Sequence, residues 1–435
     1  MELSRDVYYR KYGKQVYLRH TAARRDLLLN GSAFEALECL AALGPCSEEE
    51  LLDHMVARHI GTREQCVRFL AQLAENGILA DGAAPEADDS SILESVMDAC
   101  ARSHQLFSAS LELTYRCNER CVHCYVDDAE ACAREELSLG EYKKLLDELR
   151  AMGCMAILLT GGEVFLKKDF LAIAAHAASA GMLVNVYTNG SMMTDEQFDA
   201  LRGMHLNSLS FSLYGGTAAV HDRVTGVPGS FERTVRSAMM TKCAGIDTFI
   251  KTVVMRENVE DWENLLKLGR RLNIEINPSY EIIDTHTGRP AEGHRLQGVE
   301  AYRKAIELQR RYQPQPLSAQ TGGRRNPLGP ICNAGGCLLS INPYGDVTPC
   351  LSLPILLGNI RGRSVRDIWN SSPALEWLKG VTYQDACPDC GGCKYFSHCG
   401  MCLGATNIAP DRKAVRPDYP CLIAEAKALQ TPASQ

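Results

Sequence analysis

Three features are missing from this chain of 435 residues, and each absence excludes a class of protein. It has no long basic tract and a net charge of −7, so nucleic-acid binding is not expected. No window approaches about 18 uninterrupted apolar residues, which excludes an ordinary membrane-spanning helix. The opening segment, MELSRDVYYRKYGKQ, lacks the apolar run of a secretory signal. We therefore expect a globular cytoplasmic protein with no membrane partner.

Cysteine, in contrast, is abundant, with 19 residues. Thiols stay reduced in the cytoplasm, so closely spaced cysteines indicate metal binding or catalysis rather than disulfides. Three cysteines lie in the stretch LTYRCNERCVHCYVDD, residues 113–128, and nine lie between Cys332 and Cys421. We expect most of the scattered remainder to be inert, namely Cys39, Cys46, Cys66, Cys100, Cys132, Cys154 and Cys243.

Residues 1–80 are predicted to form a small separate domain. The stretch VYYRKYGKQVYLRH alternates and contains a Gly turn, which is typical of a β-hairpin. Three helical segments follow, two of which begin at capping residues, Ser47 and Thr62. A hairpin with three short helices is a winged-helix-like module. Residues 81–107 begin with a small, acidic, unpatterned stretch and are predicted to be a linker.

From residue 108 to 285, short apolar strands alternate with helical segments. Six such units in series predict an α/β fold with a parallel sheet and right-handed crossovers. The predicted helices cover residues 138–152, 167–180, 194–203, 230–244 and 261–272. Ligands of such sheets bind at the carboxyl ends of the strands. Four motifs fall there, namely the cysteine triplet, TGGE, TNGS and SLYGG.

The remaining residues divide into two regions. Residues 286–330 are predicted to be a polar bridging region around one helix at 298–312. Residues 331–435 are short of apolar residues and rich in Cys, Gly and Pro, so we expect them to need metal for folding.

The triplet Cys117, Cys121 and Cys124 has the pattern C-x3-C-x2-C. A structural zinc site uses four ligands, and a zinc knuckle that borrows a distant fourth ligand is one alternative. Three thiolates can instead hold three irons of a [4Fe–4S] cluster and leave the fourth iron open to a small molecule. Followed by a Gly-Gly-Glu strand end, this triplet resembles the radical S-adenosylmethionine (SAM) superfamily.

The resemblance implies a partial (β/α)6 radical SAM barrel over residues 108–285. In that family, the open iron is chelated by the amino and carboxyl groups of SAM, whose cleavage yields a hydrogen-abstracting 5′-deoxyadenosyl radical. The triplet would bind the cluster. Val164 stands where the family usually has Pro, which leaves the Glu163 carboxylate in place. Residues implied to contact SAM are His123 and Tyr125 on either side of the third cysteine, Gly161, Gly162, Glu163, Asn189, Ser212 and Arg256.

The C-terminal cysteines resemble the SPASM extension of radical SAM enzymes, which binds two auxiliary [4Fe–4S] clusters. The family pattern assigns Cys332, Cys337, Cys350 and Cys402 to the first cluster and Cys390, Cys393, Cys399 and Cys421 to the second. Cys387 is then surplus. The gap between Cys399 and Cys402 is one residue shorter than usual, which leaves the partition open. Zinc is the alternative for this region.

Residues 16–80 resemble the recognition element that binds leader peptides in ribosomal-peptide maturation systems. Such elements pair an extended peptide with an exposed sheet edge. The alternatives are a helical capping domain and a DNA-binding winged helix. The acidic stretch SEEELLDH and the lack of a basic stripe disfavour DNA binding.

Together, the three resemblances imply a maturase that abstracts a hydrogen from a ribosomally made precursor peptide and installs a crosslink. A thioether from a Cys sulfur to carbon is favoured. A carbon–carbon crosslink, a peptide epimerase with Cys243 or Cys154 as hydrogen donor, and a sulfatase-maturing formylglycine-generating oxidase remain open, as does a non-catalytic regulator. The implied partners are the precursor with its leader and an electron donor such as flavodoxin or ferredoxin.

Overall fold

The computed structural model describes residues 1–80, 91–126, 134–314, 327–406, 408 and 418–430. The chain forms two compact units, Met1–Phe107 and Ser108–Gln435. Residues 81–90 of the predicted linker, Cys132, and residues 315–326 of the predicted bridging region lie outside the described residues. No helix in the part that is described is long and apolar enough to cross a membrane.

The first unit contains a three-stranded antiparallel sheet in the order β1-β2-β3. Its strands are β1 (Val7–Tyr12), β2 (Gln15–His20) and β3 (Arg25–Asn30), and its first helices are α1 (Ser32–Leu43), α2 (Glu48–Ala57) and α3 (Arg63–Glu75). The hairpin of β1 and β2 is the predicted one, and β3 adds a third strand to it. Capping boxes begin α2 at Ser47 and α3 at Thr62.

Alternation along β2 gives its sheet two apolar faces. Val16 and Leu18 are buried in the core with helices α1, α2 and α3. The intervening residue, Tyr17, lies on the opposite face, where its ring is 5.6 Å from that of Phe107. Helix α4 (Ser91–Arg102) contacts β3 and falls within the predicted linker. Its buried residues Val96 and Cys100 are four apart, the spacing of one helix face.

The second unit is built on a nine-stranded sheet in the order β12-β11-β10-β4-β5-β6-β7-β8-β9. Its central strands are β4 (Ser108–Glu112), β5 (Ala156–Thr160), β6 (Leu183–Thr188), β7 (Ser208–Ser212), β8 (Thr248–Val253) and β9 (Glu275–Ser279), all parallel. The helices between and after them are α5 (Leu139–Ala151), α6 (Phe170–Ser179), α7 (Asp195–Arg202), α8 (Ala218–Thr225), α9 (Ser230–Cys243), α10 (Trp262–Leu272) and α11 (Gly298–Tyr312). The predicted α/β class is confirmed, and α8 is the one helix here that the sequence pattern did not indicate.

The cysteine-rich region continues this sheet. Strand β10 (Leu338–Ile341) pairs parallel to β4, and β11 (Asp346–Thr348) and β12 (Gly358–Asn359) follow antiparallel. Helices α12 (Val365–Ser371), α13 (Pro373–Lys379), α14 (Tyr383–Ala386) and α15 (Tyr419–Ala428) complete it. Leu339, Ile341, Val347 and Ile368 are buried, so this region has more apolar core than its composition indicated.

Candidate functional site

The candidate site lies at the carboxyl ends of β4, β5, β6 and β7, because parallel pairing brings these ends to one edge. The loop after β4 holds the cysteine triplet, and we call residues 113–126 the cluster loop. The loops after the next three strands hold Gly161–Glu163, Asn189 and Tyr214. The structure therefore brings these predicted motifs to one edge of the sheet.

Two glycines allow the loop after β5 to approach the cluster loop closely. The Gly162 N–H donates to the Thr114 carbonyl (2.6 Å), and the Glu163 N–H donates to the Arg116 carbonyl (2.9 Å). A Cβ on Gly161 would overlap the Thr114 carbonyl oxygen, and one on Gly162 would overlap the Arg116 carbonyl oxygen. Gly161 also has a φ of 137°, which disfavours other residues. These glycines are therefore required to join the two loops.

The three thiols of the triplet are half-buried neighbours. Burial raises the pKa of Cys117 to about 12 and that of Cys121 well above its usual value, and the neighbouring thiols add to both. A bound cation reverses this balance by stabilising the thiolates. The Glu119 N–H donates to the Cys117 sulfur (3.4 Å), as backbone amides do at iron–sulfur sites. The donor set fits an iron–sulfur cluster.

A single metal ion and an iron–sulfur cluster place different demands on the three thiols. Among the described residues, no group of three His, Cys, Asp or Glu side chains is close enough to hold one ion. In a cluster, each thiolate binds its own iron, so the sulfurs stand further apart than around one zinc ion. A [4Fe–4S] cluster therefore stays the prediction for this triplet, with zinc as the alternative.

The Glu163 carboxylate is fully buried and accepts three hydrogen bonds from its own chain. They come from the Thr188 hydroxyl (2.6 Å), the Asn189 N–H (2.8 Å) and the Phe165 N–H (3.1 Å). Burial raises the pKa of Glu163, and these hydrogen bonds oppose the rise. A carboxylate has about four acceptor positions, so one remains for an ammonium group. This fits the predicted contact with the amino group of SAM.

Asn189 joins the loop after β6 to the cluster loop. Its side-chain amide nitrogen donates to the side-chain oxygen Oδ1 of Asn118 (2.9 Å) and lies 3.9 Å from the Cys117 sulfur. The Asn118 amide in turn donates to the Ser191 hydroxyl (2.8 Å). Asn189 therefore positions the cluster loop, in addition to its predicted contact with SAM.

His123 and Tyr214 form an aromatic pair with ring centroids 4.6 Å apart, and Ser212 hydrogen-bonds to Tyr214. Burial, with a smaller contribution from His294, lowers the pKa of His123 to about 4, so the imidazole is neutral at neutral pH. Its Nδ1 is buried and has no hydrogen-bond partner among the described residues. A neutral, unpartnered ring nitrogen fits a donor such as the amino group of adenine.

Two predicted SAM contacts make other interactions. The Tyr125 hydroxyl donates to Glu112 (2.9 Å), and its ring lies against His286. The exposed Arg256 guanidinium donates to the Gly293 carbonyl (3.1 Å). Among the described residues, these hydrogen bonds and ring contacts join neither Tyr125 nor Arg256 to Glu163 or to the His123–Tyr214 pair.

The C-terminal thiols form two groups. Cys332 and Cys402 lie close enough to Cys350 to raise its pKa, although burial is the larger cause, and the value reaches about 12. Cys337 is fully buried at the start of β10. The second group lines a cavity of about 200 Å³ and consists of Cys387, Cys390, Cys393, Cys399 and Cys421. The predicted surplus thiol, Cys387, is thus in the second group, where it hydrogen-bonds to Cys390.

Two buried carboxylates and one partly buried carboxylate near the cluster loop were not indicated by the sequence pattern. Glu119, between two cysteines of the triplet, is 4% exposed, and burial raises its pKa to about 7. Glu112 accepts hydrogen bonds from two tyrosines, and Glu136 pairs with buried Lys167 at 3.0 Å. The position of Glu119 inside the cysteine motif was a signal in the sequence, and Tyr115 lies only three residues from Glu112. Lys167 lies 31 residues from Glu136, so no local pattern indicated that pair.

Comparison with known proteins assigns two regions. Residues 111–269 match the radical SAM superfamily, and residues 332–394 match the SPASM iron–sulfur cluster-binding domain. The AdoMet-dependent heme synthase of Methanosarcina barkeri is 29% identical over 67% of this chain and 89% of its own length. The PqqA peptide cyclase of Xanthomonas euvesicatoria is 28% identical over 66% of this chain and 82% of its own.

Solved structures share the fold over most of the chain. The crystal structure of Streptococcus suis SuiB bound to its precursor peptide SuiA has a TM-score of 0.63 at 14% identity. The match covers 93% of this chain and 95% of the SuiB chain. Because the coverage is nearly complete, the likeness extends to both units.

Proposed function

This chain is a radical SAM enzyme with a SPASM iron–sulfur cluster-binding domain, and we propose that it crosslinks a ribosomally made precursor peptide. Its cofactors are [4Fe–4S] clusters and SAM, which together supply a carbon radical able to abstract a hydrogen atom. The proposed ligands of the SAM-binding cluster are Cys117, Cys121 and Cys124. Glu163 would hold the SAM ammonium group, and His123 would receive the adenine.

The observation that supports a peptide substrate is the free edge of the sheet in the first unit, at strand β3. Strand β3 pairs with β2 on one side and with no other strand among the described residues. Beside it lies a cavity of about 320 Å³ between β3, α1 and α3, which we call the β3 groove. An extended peptide can add a fourth strand here and place alternate side chains in the groove. Its lining includes Leu29, Asn30, Ala36, Met55, Cys66 and Phe69.

Leader binding and chemistry are then assigned to different units. A leader held by the β3 groove raises the effective concentration of the attached core peptide for the second unit. Affinity comes largely from backbone hydrogen bonds, which tolerate variation in the core peptide. This division suits a maturase whose substrate is recognised away from the residue that is modified.

We favour a thioether between a Cys sulfur and a carbon of the core peptide. Forming this bond removes one hydrogen atom from carbon, one proton from the thiol and one further electron. The SPASM cysteines would hold clusters that can accept this electron, and a flavodoxin or ferredoxin would supply the reducing electron for SAM cleavage.

The deciding experiment is mass spectrometry of a precursor peptide encoded beside the gene, treated anaerobically with enzyme, SAM and reductant in deuterated water. A crosslink removes two hydrogens, and the loss should disappear when the three triplet cysteines are replaced by Ala. Thiol alkylation then separates the products, because a thioether leaves one fewer free thiol than a carbon–carbon bond. Uptake of one deuterium without hydrogen loss would instead indicate epimerisation.

A carbon–carbon crosslink is the second candidate, favoured by the similarity to the PqqA peptide cyclase. The similarity to the heme synthase would suit a small-molecule substrate instead.

Formylglycine formation would convert a Cys or Ser of the peptide to an aldehyde, which a hydrazide probe detects. A small-molecule enzyme would not bind a leader, so fluorescence anisotropy with a labelled leader peptide tests the peptide assignment separately from the chemistry.

A further inference from the structure

Two segments that carry proposed cluster cysteines are joined by one histidine. Cys124 is followed by Tyr125 in the cluster loop, and Cys350 is followed by Leu351 in the SPASM region. The His286 backbone N–H donates to the Tyr125 carbonyl (3.0 Å), and the two rings have centroids 4.9 Å apart. Nε2 of His286 lies 3.1 Å from the Leu351 carbonyl oxygen. A carbonyl can only accept, so Nε2 carries the proton.

The Tyr125 ring is held from its other end by a buried carboxylate. Its hydroxyl donates to one oxygen of Glu112 (2.9 Å), while the hydroxyl of Tyr115 donates to the other oxygen (3.0 Å). Glu112 is only 3% exposed.

These contacts form an unbroken connection between cysteines of two different regions. It runs from Cys124 through one peptide bond to Tyr125, across the ring contact to His286, and by a hydrogen bond to Leu351, next to Cys350. Electrons pass more readily through bonded and hydrogen-bonded atoms than across gaps. Simple apolar filling of the same space would not need the histidine donor.

We propose that Tyr125 and His286 form the electron path between the SAM-binding cluster and the first auxiliary cluster, a role that rests on the proposed placement of those clusters. One electron moves per passage, so the donor cluster is oxidised by one electron and the acceptor is reduced by one. No bond is made or broken. Both act as positioning residues rather than catalytic ones.

The test uses the full-length enzyme with all clusters, without SAM or peptide, so peptide chemistry does not enter it. A photoexcited deazaflavin delivers one electron, and cluster-specific EPR after rapid freezing follows its redistribution. His286→Leu should slow the redistribution by an order of magnitude or more. Tyr125→Phe keeps the ring and should stay near the wild-type rate. His294→Leu is the matched control, because it removes a histidine of the same bridging region that pairs with Glu257 instead.

A wild-type rate in His286→Leu, with iron content and both EPR signals intact, would overturn the proposal. If His286→Leu loses the auxiliary signal, His286→Gln decides, because it retains a donor for the Leu351 carbonyl but no ring. Slow redistribution with both clusters present supports the path, whereas a wild-type rate or a lost cluster refutes it. If the EPR signals survive in Cys124→Ala and Cys350→Ala, the cluster placement is wrong and the path with it.

Discussion

Replacing Gly162 by Ala should weaken SAM binding strongly, because the new methyl group has no space. The Cβ would overlap the Arg116 carbonyl oxygen and also crowd the Tyr115 carbonyl, both of which are backbone and cannot turn away. Overpacking of this kind costs about 1–3 kcal/mol. The displacement also strains the Gly162 and Glu163 N–H hydrogen bonds to the cluster loop, and we expect these two bonds together to lose about 1 kcal/mol, half of what they are worth.

The combined penalty is about 2–4 kcal/mol, which falls on the arrangement that binds SAM. Since each 1.4 kcal/mol is tenfold, the Kd for SAM should rise by about 30-fold to 700-fold. Isothermal titration under anaerobic conditions measures it. Gly140→Ala is the control, because Gly140 is an exposed helical residue whose Cβ would meet nothing within 4 Å. A Gly162→Ala enzyme that binds SAM within about threefold of wild type would contradict the close-approach argument.

Four further results are expected. Phe69→Ala in the β3 groove should raise the Kd for a labelled leader by about tenfold or more, as truncated hot spots do, whereas exposed Val67→Ala on the same helix should not. Glu163→Gln should raise the Kd for SAM by about tenfold to 150-fold, the cost of a lost hydrogen bond to a charged group; an unchanged Kd would remove Glu163 from the SAM site. Cys387→Ser should keep its full iron content while Cys390→Ser loses about four irons, and the reverse result would make Cys387 the ligand. Burial lowers the pKa of His221 to about 4 in the folded protein. Between pH 6.5 and 5.5 the unfolded chain therefore binds a proton at this residue while the folded protein does not, so the free energy of unfolding should fall by about 1 kcal/mol. Thermal unfolding of His221→Leu should lack this part of the pH dependence.

Local signals predicted much of the fold. Capping boxes at Ser47 and Thr62 begin α2 and α3 where the sequence indicated, because a cap depends on residues three apart. The six βα units followed from alternating apolar strands and helices. Strand β3 was missed, since RDLLLN is a short apolar run without clear alternation.

Nonlocal contacts at the site could not be predicted in the same way. The spacing of Cys117, Cys121 and Cys124 indicated the cluster loop. Nothing in the sequence placed His286 against Tyr125, because that contact joins residues far apart in the chain. The roles of individual SAM contacts and the division of the SPASM cysteines between clusters remain predictions.

Because β10 pairs with β4, the SPASM region and the radical SAM region share one sheet. Residues Leu338–Ile341 share a backbone ladder with the strand that leads into the cysteine triplet. Removing the C-terminal region would expose β4 as a bare apolar edge, a template for aggregation. A truncated enzyme should therefore become insoluble, and the two regions should unfold together rather than in separate steps.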